Sequence, residues 1–211
     1  LRHVQNYLNQ LNKKKMMLSK VLELYEVNPM LGHRGVRLGM SYPEIYNMQI
    51  RSILEATARC IKRKIQVNPE IMVPQVITAQ ELKKVKLMVD QIRQEVEEQY
   101  RIKLNFKFGT MIETVRACTR ADRLAEIADF FSFGTNDLTQ ATFSFSREDA
   151  ENKFLPLYED SGLLQDSPFE TLDIQGLGKL MKMAVEWGRS QRPDLKVGIC
   201  GEHGGHPKSI L

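Results

Sequence analysis

Four short apolar runs, at 70–76, 106–112, 130–133 and 196–200, have the length and composition of β-strands, and residues repeating at helical spacing separate them. That alternation leaves little choice of architecture. Strands joined through helices run parallel in one sheet, and right-handed crossovers wind every unit the same way. An open sheet and a closed barrel both satisfy the rule. The position of the polar residues favours the barrel. Glu113, then Asn136 and Asp137, then Cys200 stand at the C-terminal ends of successive runs, and a barrel gathers such ends into one ring.

The helical segments are marked by their own chemistry. Val4, Leu8, Leu11, Leu18, Leu22 and Tyr25 share one face of a helix or helical pair, with Lys13, Lys14 and Lys15 expected in solvent. Pro43 opens a long helical pattern through Ile45, Met48, Ile53, Leu54, Ala58 and Ile61. Thr78 and Glu81 have the spacing of a capping box ahead of an amphipathic run to about Tyr100, and further helices are expected over 114–127 and 173–189. No short repeat and no low-complexity linker divides the chain.

Composition narrows the partners. The excess of 30 Lys+Arg over 26 Asp+Glu is small and dispersed, which argues against nucleic acid and leaves an anionic small substrate compatible. No apolar run approaches the ~20 residues of a membrane helix, so no membrane partner is expected. Cys60, Cys118 and Cys200 form no CxxC pair and are odd in number, against a secreted disulfide framework. We expect an intracellular, soluble protein, cytoplasmic or organellar, with Cys60 and Cys118 as buried core residues. The lack of an initiating methionine and the stop just after a helix-like start at 206–211 suggest a piece of a longer chain.

Three groups of residues carry chemistry. Glu113 and Asp137 end consecutive strand patterns; adjacent strands lie ~4.8 Å apart, so the two carboxylates can share one cation. Magnesium suits them, since it takes one or two carboxylates and fills its remaining positions with water and substrate oxygens. Gly134, Thr135 and Asn136 offer backbone N–H groups, a hydroxyl and an amide where a helix begins, a setting for an anionic oxygen. Cys200 ends a strand and opens the loop Gly201-Glu202-His203-Gly204-Gly205-His206, placing a proton-donating thiol beside flexible backbone. Arg34, in Gly32-His33-Arg34-Gly35, with Arg37 and Arg147, supplies forks suited to carboxylate or phosphate. The Cys200 loop admits a second reading, a zinc half-site of Cys200, His203 and His206. A noncatalytic scaffold barrel is a third.

Taken together these segments resemble the phosphoenolpyruvate-utilising enzymes, and among them the pyruvate phosphate dikinases. The resemblance runs from about Glu26 to the end and rests on four blocks in family order: Asn28-Pro29-Met30-Leu31-Gly32-His33-Arg34-Gly35, Gly109-Thr110-Met111-Ile112-Glu113, the run from Phe130 to Gln140, and Gly198-Ile199-Cys200-Gly201-Glu202-His203-Gly204-Gly205. It implies an α/β fold, a (β/α)8 barrel of TIM type, here incomplete at both ends, with residues 1–27 as a helical insertion and 28–211 as part of the phosphoenolpyruvate/pyruvate-binding barrel. It further implies that Glu113 and Asp137 bind Mg2+, that Gly134, Thr135 and Asn136 line the substrate, and that Arg34, assisted by Arg147, contacts phosphoryl or carboxylate oxygens. Cys200 is implied to exchange the methyl proton of pyruvate. The implied partners are pyruvate or phosphoenolpyruvate, a phosphohistidine domain, an ATP-binding domain and a second copy in a homodimer. None of the four histidines has the family's phosphohistidine context, and His206 stands where the family usually has Asp.

Overall fold

A computed structural model describes residues 2–210; Leu1 and Leu211, the outer limits of the expected insertion and barrel segment, lie outside the described residues. The chain divides into two compact units, one ending at Gly32 and one beginning at His33. In the first, the N-terminal pattern forms a single helix, α1 (Arg2–Glu23), not a pair. Its apolar stripe of Val4, Leu8, Leu11, Leu18 and Leu22 is exposed, as are Lys13, Lys14 and Lys15. The Asn28 side chain then accepts from the Leu31 N–H and opens one 3-10 turn at Pro29–Leu31.

The second unit begins with α2 (Val36–Ser41) and α3 (Pro43–Lys62). Proline at the first turn of α3 loses no hydrogen bond there, Glu44 meets the positive end of the helix, and Arg59 and Lys62 meet the negative end. Then come β1 (Glu70–Val73), α4 (Ala79–Tyr100) and β2 (Lys107–Ile112). The capping box closes in full: Thr78 Oγ1 accepts from Glu81 N, and Glu81 Oε2 from Thr78 N. Leu82, Val85, Val89, Ile92 and Val96 recur at three and four residues and are all buried. At ~1.5–3 kcal/mol for each large aliphatic side chain, this one face contributes more than any cap.

The expected helix over 114–127 is two short ones, α5 (Val115–Cys118) and α6 (Ala121–Ala125). Arg120 breaks the backbone between them at φ −133°. After β3 (Phe130–Gly134) come α7 (Thr135–Phe143), α8 (Arg147–Lys153) and α9 (Leu155–Asp160). Phe145, Phe154 and Phe169 gather there around Ala150 and Leu155 in a small satellite core. The helix expected from 173 starts later, as α10 (Leu177–Gln191), because Asp173 accepts from the N–H groups of Gln175, Gly176 and Leu177 and holds a turn. The chain ends with β4 (Lys196–Cys200), a 3-10 turn at Glu202–Gly205 and α11 (Pro207–Ile210). Cys118 is buried as expected, whereas Cys60, near the end of α3, is only half-buried.

All four expected strands form, in one parallel sheet of order β1-β2-β3-β4. The fold is therefore α/β, with four strands among the described residues. The sheet is bent. Lys196 on β4 reaches Glu70 on β1 at 2.8 Å, although three inter-strand steps of ~4.8 Å would hold them too far apart in a flat sheet. Among the described residues no helix is long and apolar enough to cross a membrane.

Candidate active site

Parallel strands bring their C-terminal ends to one edge, and the register fixes what meets there. Ile112 pairs with Phe133, and Gly134 with Cys200, so Glu113 and the start of α7 are neighbours and Cys200 lies one strand beyond. Glu113 is 5% exposed and Asp137 7%, and their carboxyl groups are hydrogen-bonded to each other. Burial is the main force on both. It lifts Glu113 to about 7, helped by the Asp137 charge and opposed by the Gln75 N–H and by Arg34. Burial also raises Asp137, against the pull of Arg34, the Gln75 amide and Arg37. The pair thus holds a proton between two acids that cannot both ionise cheaply.

Gly134 permits this packing. A Cβ there would stand 2.5 Å from Glu113 Oε2 and 2.6 Å from Met111 Sδ. The end of β1 completes the clamp: Gln75 N–H donates to Glu113 Oε1 at 2.5 Å, and Gln75 Nε2 donates to Asp137 Oδ2. Arg34 is exposed, and its charge acts on both carboxyl groups, while that of Arg37 acts on Asp137.

Arg147 is engaged differently. Its two terminal nitrogens grip the Glu202 carboxylate at 2.9 and 2.8 Å, Nε bonds Glu151 at 2.9 Å, and the guanidinium lies over the Phe169 ring at 5.1 Å. In this arrangement it ties the loop after Cys200 to the satellite core. Asn136 sits under the same loop, with Oδ1 3.4 Å from Glu202 N. Cys200 is half-buried, and its thiol donates to the Phe133 carbonyl at 3.4 Å.

His203 is fully buried, with Nε2 3.0 Å from the Pro168 carbonyl and Nδ1 2.8 Å from Thr135 Oγ1. The same hydroxyl is 3.1 Å from the Cys200 carbonyl. Burial pushes His203 below the usual histidine value, so the ring is neutral. Both its nitrogens are used, which removes the zinc half-site. Among the described residues no cluster of three or more His, Cys, Asp or Glu is suited to a metal. A site of two carboxylates completed by water and substrate is a different case.

Residues 8–211 match the family model described as PEP-utilising enzyme, PEP-binding domain. The chain belongs to that family. It is 56% identical over 201 residues to the pyruvate, phosphate dikinase of Entamoeba histolytica, covering 95% of this chain and 23% of that protein. Against the chloroplastic pyruvate, phosphate dikinase 1 of Arabidopsis thaliana the identity is 55% over 201 residues, 94% of this chain and 20% of the other. For the Giardia intestinalis pyruvate, phosphate dikinase it is 50% over 202 residues, 95% and 23%. The chain spans about a fifth of the length of these curated relatives.

Within this PEP-binding domain, sequence reasoning missed Gln75 and named His203 only in the alternative zinc reading, not as a brace. Neither has a clear local signature. The usable hint at Gln75 was its place just after Pro74 at the end of a strand run, the same structural position as Glu113 and Asp137.

Proposed function

We propose that this chain forms the phosphoenolpyruvate/pyruvate-binding part of a pyruvate phosphate dikinase, an enzyme converting ATP, phosphate and pyruvate to AMP, diphosphate and phosphoenolpyruvate. The reading rests foremost on one observation: two buried carboxyls, Glu113 and Asp137, held together by Gln75 at the C-terminal edge of a parallel sheet. We read residues 28–211 as part of a (β/α)8 barrel whose curvature the Lys196–Glu70 bridge favours, preceded by a helical insertion over 1–27. The full reaction also needs an ATP-binding domain and a phosphohistidine domain that brings the phosphoryl group, and we expect a homodimer. Three free cysteines fit an intracellular setting, cytoplasmic or organellar.

Glu113 and Asp137 fit Mg2+, because two adjacent buried carboxyls that must otherwise keep a proton gain most from a small dication. When bound, the ion supplies positive charge to the oxygens of the substrate. Arg34 orients and neutralises the phosphoryl or carboxylate group from the other side. Gly134 leaves room for the Glu113 carboxyl against the backbone, Thr135 braces the Cys200 strand, and Asn136 holds the loop that follows it. Arg147 fixes that loop through Glu202, or turns to the substrate if Glu202 releases it. Cys200, a thiol hydrogen-bonded to a carbonyl, gives its proton to the methylene carbon of the enolate on the way to pyruvate; in reverse its thiolate takes a methyl proton.

Calorimetric titration of the purified protein with oxalate, which copies the enolate of pyruvate, tests the reading. Binding should require Mg2+ and should be lost in Asp137→Ala without change in secondary structure. Equal oxalate affinity with and without Mg2+, or in Asp137→Ala, would sink the assignment.

A further inference from the structure

Gln75 stands where three parts of the site meet. It is buried, 2% exposed, and among the described residues is one of four non-glycine residues with positive φ, at 62°. That left-handed turn aims its N–H at Glu113 and its side-chain amide at Asp137. A third contact joins it to the arginine loop. Gly35, at φ +57°, lies so close that a Cβ there would be 3.0 Å from Cβ and Cγ of Gln75, and Val36 N–H bonds the Pro74 carbonyl at 3.1 Å. One residue therefore sets the spacing of both carboxyl groups and seats the loop that carries Arg34.

We infer that Gln75 is a positioning residue that gives the carboxylate pair its preference for a small dication over a large one. The inference rests on the proposed role of Glu113 and Asp137 as cation ligands. Mg2+ demands near-octahedral oxygens at ~2.0–2.1 Å, while Ca2+ accepts ~2.3–2.6 Å and irregular geometry. A pair of carboxylates tied at a fixed spacing by hydrogen-bond donors discriminates between them; a loosened pair does not. Outer donors to metal-binding carboxylates commonly matter ~10–100-fold in affinity.

Two variants separate this role from simple packing. Gln75→Leu keeps volume and loses the amide; Gln75→Gly loses the side chain and suits the left-handed backbone, so at least one should fold. Mn2+ binding to the purified protein is followed by electron paramagnetic resonance, with displacement by Mg2+ and by Ca2+, alongside thermal unfolding. In the wild type Mg2+ should displace Mn2+ far more effectively than Ca2+ does. In a folded variant Mg2+ affinity should fall ~10–100-fold and Ca2+ affinity distinctly less, shrinking the Mg2+/Ca2+ ratio by about tenfold. An unchanged ratio in a folded variant, whether both affinities fall together or neither moves, overturns the inference and leaves the cation site standing. A wild type that binds no Mn2+ overturns the cation site and the inference with it.

Discussion

Raising the pH should destabilise the magnesium-free protein through Glu113. Burial beside Asp137 lifts this carboxyl from 4.5 to about 7, so the native state holds the proton more tightly than the unfolded chain does. A group shifted in this direction contributes its stability fully below the unfolded value and loses it as pH rises through the folded one; the window is therefore about 4.5 to about 7. At about 1.4 kcal/mol for each pH unit, the full loss is about 3–4 kcal/mol, an upper figure because Asp137 is coupled to the same proton. Buried His203 slopes the other way. Its value is lowered, so its contribution is present above the ordinary histidine value and fades as pH falls through the folded one. Glu113→Gln isolates the carboxyl, since the neutral amide keeps the shape and titrates nothing. Urea unfolding in chelator, followed by Trp187, the single tryptophan of these residues, gives the comparison. Between about pH 5 and about pH 8 the variant should gain about 2–3 kcal/mol relative to wild type, and millimolar Mg2+ should remove the wild-type slope. A wild-type-minus-variant difference that stays flat with pH refutes the reasoning.

Other perturbations bear on neighbouring parts of the site. Gly134→Ala places a Cβ 2.5 Å from Glu113 Oε2, so it should cost about 1–3 kcal/mol by overpacking and weaken Mg2+ binding at least about tenfold, read by denaturation and calorimetry. Cys200→Ser should keep Mg2+-dependent oxalate binding but lose pyruvate methyl-proton exchange, followed by deuterium wash-in; retained exchange moves the proton to another group. Arg147→Lys gives up the fork on Glu202. Because Glu202 is over half exposed, the stability cost should be about 1 kcal/mol or less, while amide exchange over 201–205 should rise.

How far the sequence exposes the fold depends on whether a pattern is broken by side chains or by backbone. The four strands and α4 follow apolar spacing closely, Thr78 with Glu81 marks the start of α4 to the residue, and α3 forms as expected although Met48 and Ile53 of its pattern are exposed. Over 114–127 the same spacing misleads, because Ala117, Cys118, Ala121, Leu124 and Ala125 are buried across both short helices and conceal the turn at Arg120. At 173 the signal was real but described a different object: Asp173 gathers three N–H groups into a turn ahead of the helix. Exposure of the α1 stripe is beyond any reading of periodicity, which reports that a face is apolar and not what meets it.

In the site, legibility divides along the same line. Glu113 and Asp137 could be paired in advance because a charged residue closing a buried strand is anomalous in itself, and parallel register brings two such anomalies together. Gln75 closes a strand just as they do, but its contribution depends on a left-handed backbone that glutamine seldom adopts and no local motif announces. His203 shows the converse case, in the alternative zinc reading. Spacing of three from Cys200 suggested shared ligation, yet the 3-10 turn at Glu202–Gly205 carries its ring inward to Pro168 and Thr135, where both nitrogens are spent on bracing the strand end. A residue's chemical type limits what it can do at such an edge; the backbone turn after each strand decides which of those things it does. The φ of Gln75 is consequently as much a part of this site as the carboxylates it holds.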